Sequence, residues 1–145
     1  VLDFKKPDAV YLVQSTLEQV MPRADDFARS FYARLFDQNP DIRPLFDHVD
    51  MNIQRSMLMN MLAVTVRGLD HIQDLIPAIQ DLGRRHVHYG AQIRHYRAIG
   101  QALLWALEAF FGDTFTPEIY LAWTEVYGIV ARTMIEATRP VAAAS

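Results

Sequence analysis

An all-α fold follows from three features of this sequence. Apolar residues recur at i, i+3, i+4 and i+7 over long stretches. Prolines and glycines fall between those stretches. Strand signals are nearly absent, with no Asn-Gly or Asp-Gly hairpin turn and no sustained alternation of apolar and polar residues.

Taken in order, the first helix is expected from Asp8 to about Met21, with Val10, Val13, Leu17 and Val20 at loose helical spacing. Phe27, Ala28, Phe31, Tyr32, Leu35 and Phe36 mark the second. From Phe36 to Asp50 the pattern becomes irregular around Pro40 and Pro44. Leu58, Met61, Leu62, Thr65, Val66 and Leu69 give the third helix, and Leu75, Ile76, Ile79, Leu82 and Gly83 the fourth. Tyr96, Ile99, Gly100, Leu103, Leu104, Leu107, Phe110 and Phe111 define the fifth, which Gly112 and Asp113 separate from the next. Thr116 suits an N-cap ahead of Pro117, and Ile119, Ala122, Trp123, Val126, Tyr127, Val130 and Met134 form the last helix, stopped by Pro140. Pro22, Pro40 and Pro117 sit where a first turn tolerates a missing amide donor. The expectation is six to eight helices with short connections, forming one domain over residues 1–145.

Composition removes several function classes. With 17 acids against 14 bases the net charge is −3, and no basic run offers a nucleic-acid footprint. The absence of cysteine excludes disulfides, cysteine nucleophiles, thiolate–zinc sites and cysteine-held iron–sulfur clusters. It also fits a reducing, cytoplasmic compartment. No apolar run reaches the roughly 18 residues of a membrane span, and the start lacks a signal-peptide pattern. A chain opening at Val1 fits loss of an initiator methionine or excision from something longer.

Of five histidines, His86 continues the apolar face that runs through Leu75, Ile79, Leu82 and Gly83. It should point inward, with Gly83 one turn earlier leaving room for something close to the helix. Two readings stand. One is a core histidine satisfied by a backbone carbonyl; the other is an axial ligand to a cofactor iron. Zinc is disfavoured because it wants three or four protein ligands, whereas a porphyrin already supplies four nitrogens. His88 and His95 read as solvated, and His48 and His71 lie in loop-like sequence.

The motifs FYARLFDQNPDIRPLF (31–46), QRSML (54–58), LIPAIQDLGRRH (75–86), HYRAIG (95–100) and AWTEVYGI (122–129) occur in this order. With them the chain resembles the globins, above all single-domain bacterial haemoglobins and the globin domain of flavohaemoglobins, over essentially its whole length. The resemblance implies a globin fold around haem b (iron protoporphyrin IX), with His86 as the proximal metal ligand. It sets Tyr32 over the haem, Phe46 against its edge, Gln54 as distal glutamine and Leu58 as apolar cover. Tyr96 matches the family's proximal-side tyrosine. Leu62, Leu82 and Ile99 are core residues, some of that core being haem. Arg85 is either a propionate contact or a solvated arginine. Without the motif, Tyr32 would read as a core tyrosine and Gln54 as an exposed helical residue.

The implied function is binding of O₂, with NO and CO as further small ligands, at a pentacoordinate iron. Tyr32 and Gln54 are the available donors to bound oxygen. Hydrogen bonds to charged groups contribute about 1.5–3 kcal/mol, or about 10- to 150-fold in affinity. Nitric oxide dioxygenation would require an external reductase, since a chain of this length holds no flavin or nicotinamide domain beside the globin. The alternative is a gas-sensor domain of a longer signalling protein. One departure stands out. Flavohaemoglobins place a glutamate on the last helix that, with the proximal tyrosine, polarises the proximal histidine. Here the matching position is Thr138; Glu136 lies two residues earlier, about 200° around the helix. The histidine N–H is then expected to reach a backbone carbonyl such as that of Leu82.

Overall fold

The computed structural model describes residues 7–139, and among these every regular element is helical. Six α-helices run α1 (Pro7–Val20), α2 (Ala24–Gln38), α3 (Met51–Arg67), α4 (Ile72–His88), α5 (Ile93–Phe111) and α6 (Pro117–Ala137), with short 3₁₀ turns at Met21–Arg23, Arg43–Phe46, Leu69–His71 and Gly112–Thr114. The expected helix stop at Pro140 lies outside the described residues.

Local chemistry sets the boundaries. Asp50 caps α3, its Oδ1 accepting from the backbone N–H groups of Asn52 and Ile53 at 2.9 and 3.4 Å. Thr116 caps α6 by accepting from Ile119 N–H at 3.2 Å, with Pro117 at the first helical position. Gly112 ends α5 at φ +58°, a backbone angle that a side chain disfavours. Pro40 does not open a helix as expected. It lies in the turn after α2, and Pro44 takes the early position of the following 3₁₀ turn. Pro77 is an interior residue of α4 that the sequence pattern did not flag.

Packing is pairwise. α1 lies on α6 and α3, α2 on α5 and α3, and α4 on α6. Ala98, Ala102 and Ala106 form a small-residue stripe on α5 that faces the core beside Phe27, Phe31 and Leu35 of α2. Trp123 donates its indole N–H to Thr16 Oγ1 at 2.9 Å, tying α6 to α1 inside the core. α4 and α6 close on each other at Gly83, where an added Cβ would lie 2.4 Å from the Met134 carbonyl oxygen. The close neighbour for which Gly83 leaves room is therefore the chain's own last helix.

Candidate functional site

Tyr32 lies on the buried face of α2, and Gln54 lies one turn into α3. The structure brings them together: Gln54 Nε2 donates to the Tyr32 hydroxyl oxygen at 2.9 Å. Tyr32 is 6% exposed, and burial raises its pKa above the usual phenol value, against a smaller lowering by the Gln54 hydrogen bond. It stays a neutral O–H donor at ordinary pH. Because Gln54 fills an acceptor position on the oxygen, the phenolic proton can be turned to a further acceptor. Phe46, carried on the Arg43–Phe46 turn, packs its ring 5.8 Å from that of Tyr32 and 5.3 Å from Phe36.

Leu58 and Leu62 follow Gln54 on α3 and are half-buried, as are Leu75 and Leu82 on α4 and Ile99 on α5. Leu58, Leu62 and Ile99 belong to the main core cluster, whereas Leu75 and Leu82 belong to a second cluster with Ile79, Tyr96, Ala131 and Met134. Tyr127 touches both clusters. α3 and α4 approach at their junction, where a Cβ on Gly68 would lie 2.6 Å from Leu75 Cδ1. Their half-exposed leucines are the kind of surface that a large apolar group would cover.

His86 sits near the end of α4, half-buried, with Nδ1 2.8 Å from the Leu82 carbonyl oxygen. A carbonyl can only accept, so Nδ1 carries a proton, and in the neutral imidazole the lone pair falls on Nε2. The hydrogen bond holds the ring in one orientation. Its ring centroid lies 6.5 Å from that of Tyr96. The Tyr96 hydroxyl is buried without a hydrogen-bond partner among the described residues, and burial raises its pKa. Tyr127 donates its hydroxyl to the Tyr96 carbonyl and lays its ring on Gly100, where a Cβ would meet Cε2 at 2.6 Å. Burial, with Tyr96 beside it, drives the Tyr127 pKa far upward. Glu136 is exposed, and Thr138 turns its hydroxyl to the Ile135 carbonyl at 2.6 Å.

The remaining predicted positions are peripheral. Arg85 is exposed and paired along its own helix with Asp81 at 3.2 Å. His48, His71 and His88 are exposed. His95 is not solvated: it is 4% exposed and closes a capping box, with Nδ1 accepting from Gln92 N–H at 2.9 Å. The sequence signal was present as Gln92 followed three residues later by a side chain able to accept. Arg55, which the sequence reading passed over, is buried between α2 and α3. No cluster of three or more histidine, aspartate or glutamate side chains exists among the described residues to hold a bare metal ion. A single neutral imidazole fits a metal that arrives with its own nitrogen ligands. No helix among them is long and apolar enough to cross a membrane.

Comparison with known proteins finds relatives of the chain and of its fold. The globin family model matches residues 29–134. A Bacillus subtilis flavohemoprotein is 27% identical over 87% of this chain and 32% of its own length. A Rhodopirellula baltica flavohemoprotein is 31% identical over 84% and 30%. The chain thus spans about a third of the length of these curated relatives. Among solved structures, a bacterial globin from Campylobacter jejuni superposes with a TM-score of 0.80 at 18% identity, covering 91% of this chain and 95% of that one. An engineered carbene transferase built on a candidate nitric oxide dioxygenase from Rhodothermus marinus gives 0.79 at 23% identity, covering 89% of each.

Proposed function

The chain belongs to the globin family, whose members bind haem and small gaseous ligands, and from that premise we propose that it binds O₂ at a haem iron held by His86. The single observation that carries the proposal is the Nδ1–H bond from His86 to the Leu82 carbonyl at 2.8 Å, which orients the ring and, in the neutral imidazole, leaves Nε2 as the donor on an apolar helix face. Leu58, Leu62, Leu82 and Ile99 would cover the macrocycle, Phe46 would lie against its edge, and Tyr96 would back the histidine. Arg85 would reach a propionate by leaving Asp81, a surface pair of small worth. Noncovalent haem b fits a chain without cysteine, since thioether attachment needs thiols.

When bound, haem supplies a ferrous iron that takes up diatomic gases and shifts electron density onto O₂. Tyr32 donates its hydroxyl proton to a ligand in the pocket, and Gln54 orients that hydroxyl by donating to its oxygen. Neither neutral side chain is a strong iron ligand, so both would serve a bound gas as hydrogen-bond donors. His86 hydrogen-bonds to a carbonyl rather than a carboxylate, so its imidazole stays a moderate donor; a carboxylate partner would raise its basicity. This favours reversible binding over peroxidase-like activation. We further propose that residues 1–145 form one globin unit. That unit converts nitric oxide and O₂ to nitrate when a reductase outside these residues supplies the electron.

The test is an absorption spectrum of purified protein as isolated, after reduction and after exposure to O₂. The expected result is a strong Soret band, a five-coordinate ferrous form and a stable oxy form. Absence of a haem band after reconstitution with hemin would overturn the proposal.

A further inference from the structure

The face of α3 that packs on the core carries Arg55, Met59, Ala63 and Val66, all buried. Their spacing of i, i+4, i+8 and i+11 is one helical stripe. An arginine therefore stands where the pattern calls for an apolar side chain. Its side chain is 9% exposed. Nε donates to Asp25 Oδ1 at 2.8 Å, and a terminal guanidinium nitrogen donates to Asn52 Oδ1. Arg29 holds the other Asp25 oxygen at 2.9 Å. Asp25 lies on α2 seven residues, or about two turns, before Tyr32. Arg55 is the residue after Gln54. Among the described residues, Asp25–Arg55 is the only ion pair joining α2 to α3.

We propose that Arg55 is a positioning residue: through Asp25 it fixes the register of α3 on α2 and so holds Gln54 against Tyr32. The proposal rests on the donor reading of Tyr32 and Gln54 given above. Apolar contacts are non-directional and tolerate sliding of one helix over another. A slide of about 1.5 Å, the rise of one residue, would lengthen the 2.9 Å Gln54–Tyr32 contact past its optimum, and a slide directed along the contact would break it. One charge-assisted bond from the planar guanidinium crosses to α2 and resists that slide, while the Asn52 contact within α3 holds the guanidinium in place. Asp25 is 57% exposed, so the pair is buried on the Arg55 side alone and adds little net stability; the best-attested use of a buried charge of this kind is to specify register. The Arg55 guanidinium holds the Asp25 carboxyl below the usual carboxylate range, with Arg29 assisting, so the clamp stays charged in mild acid.

Arg55→Met separates positioning from stability, because methionine can fill the stripe without a charge. The melting temperature of the haem protein should stay unchanged or rise. O₂ dissociation should accelerate by about twofold to tenfold, the range of one neutral hydrogen bond. In the diamagnetic ferrous CO form, the side-chain amide resonances of Gln54 should shift from their wild-type positions. In a Tyr32→Phe background the same substitution should add no further acceleration. Asp25→Asn should reproduce the kinetic and spectral changes, and it serves in place of Arg55→Met if that variant does not fold.

Unchanged Gln54 resonances and dissociation rate in both variants, with Tyr32→Phe still accelerating dissociation, would overturn the positioning role and leave the donor reading intact. Equal acceleration with and without Tyr32, accompanied by a lower melting temperature, would reduce Arg55 to general support and equally overturn it. Shifted Gln54 resonances with no kinetic effect of Tyr32→Phe would uphold the positioning of Gln54 and overturn the donor reading instead.

Discussion

Gly83→Ala tests whether the approach of α4 to α6 is what fixes the helix that carries His86. An added Cβ would lie 2.4 Å from the Met134 carbonyl oxygen and 2.7 Å from its Cα. Both atoms are backbone, so no side-chain rotation relieves the clash, and the helices must part by about 1 Å to reach ordinary contact distance. Ile79, Leu82, Ala131 and Met134 pack in that cluster and would lose contact together. Overpacking of this kind costs about 1–3 kcal/mol. The better helix propensity of alanine returns about 1 kcal/mol. With a backbone neighbour the clash falls at the upper end, for a net loss of roughly 2 kcal/mol, or a melting temperature lower by about 4–8 °C for a chain of this size. Gly128→Ala is the control. It makes the same substitution inside α6, where a Cβ meets only Arg132 at 3.9 Å, so stability should rise by up to about 1 kcal/mol. Thermal unfolding of both variants decides the matter. Equal stabilisation in both would refute the argument that helix approach is why Gly83 is glycine.

Tyr32→Phe should speed O₂ dissociation by about 10-fold or more, as measured by stopped-flow, because it removes the donor itself. Gln54→Leu removes only the group that orients the donor, and a larger effect there would reverse the assigned roles. His86→Ala should abolish haem retention unless imidazole is supplied, and a normal Soret intensity without imidazole would undo the ligand assignment. His95 gives a pH dependence. Burial lowers its pKa, with Arg94 acting in the same direction and Asp41 opposing. The unfolded chain therefore takes up the proton first, and stability falls as pH drops below about 6.5 toward the folded value. His95→Gln should flatten the melting-temperature profile below about pH 6.5, the free imidazole value; an unaltered slope would exclude His95 as its source.

The helices were legible because their apolar periods are long and their ends chemically marked. Thr116 and Pro117 start α6 where the sequence places the start, and Gly112 breaks the chain after α5. Tyr32 and Gln54 were legible through their motifs, and the structure joins them across 22 residues of sequence. α3 was read only in part. The template of one apolar face picked Leu58, Met61, Leu62, Thr65 and Val66, while Arg55, Met59 and Ala63 line a second buried face. A helix apolar on two sides defeats a one-stripe reading, and an arginine in sequence reads as solvent-facing until its partner on another helix is known. The same limit applies to Gly83, whose neighbour lies 51 residues away, and to His95, whose burial depends on where α5 begins.

The two sides of the site are built on different physical terms. On the α2–α3 side, orientation comes from a chain of side-chain hydrogen bonds, Asp25 to Arg55 and Gln54 to Tyr32, each sensitive to how two helices register. On the α4 side, orientation comes from the backbone: the Leu82 carbonyl fixes His86, and the Tyr96 carbonyl takes the Tyr127 hydroxyl. A backbone acceptor carries no ionisable charge, and Glu136 on α6 is exposed. Substitution on the α2–α3 side should therefore tune how long a gas stays bound. Substitution on the α4 side should instead govern whether haem is held at all. Tyr32→Phe and His86→Ala separate these two consequences, because the first leaves every His86 contact in place.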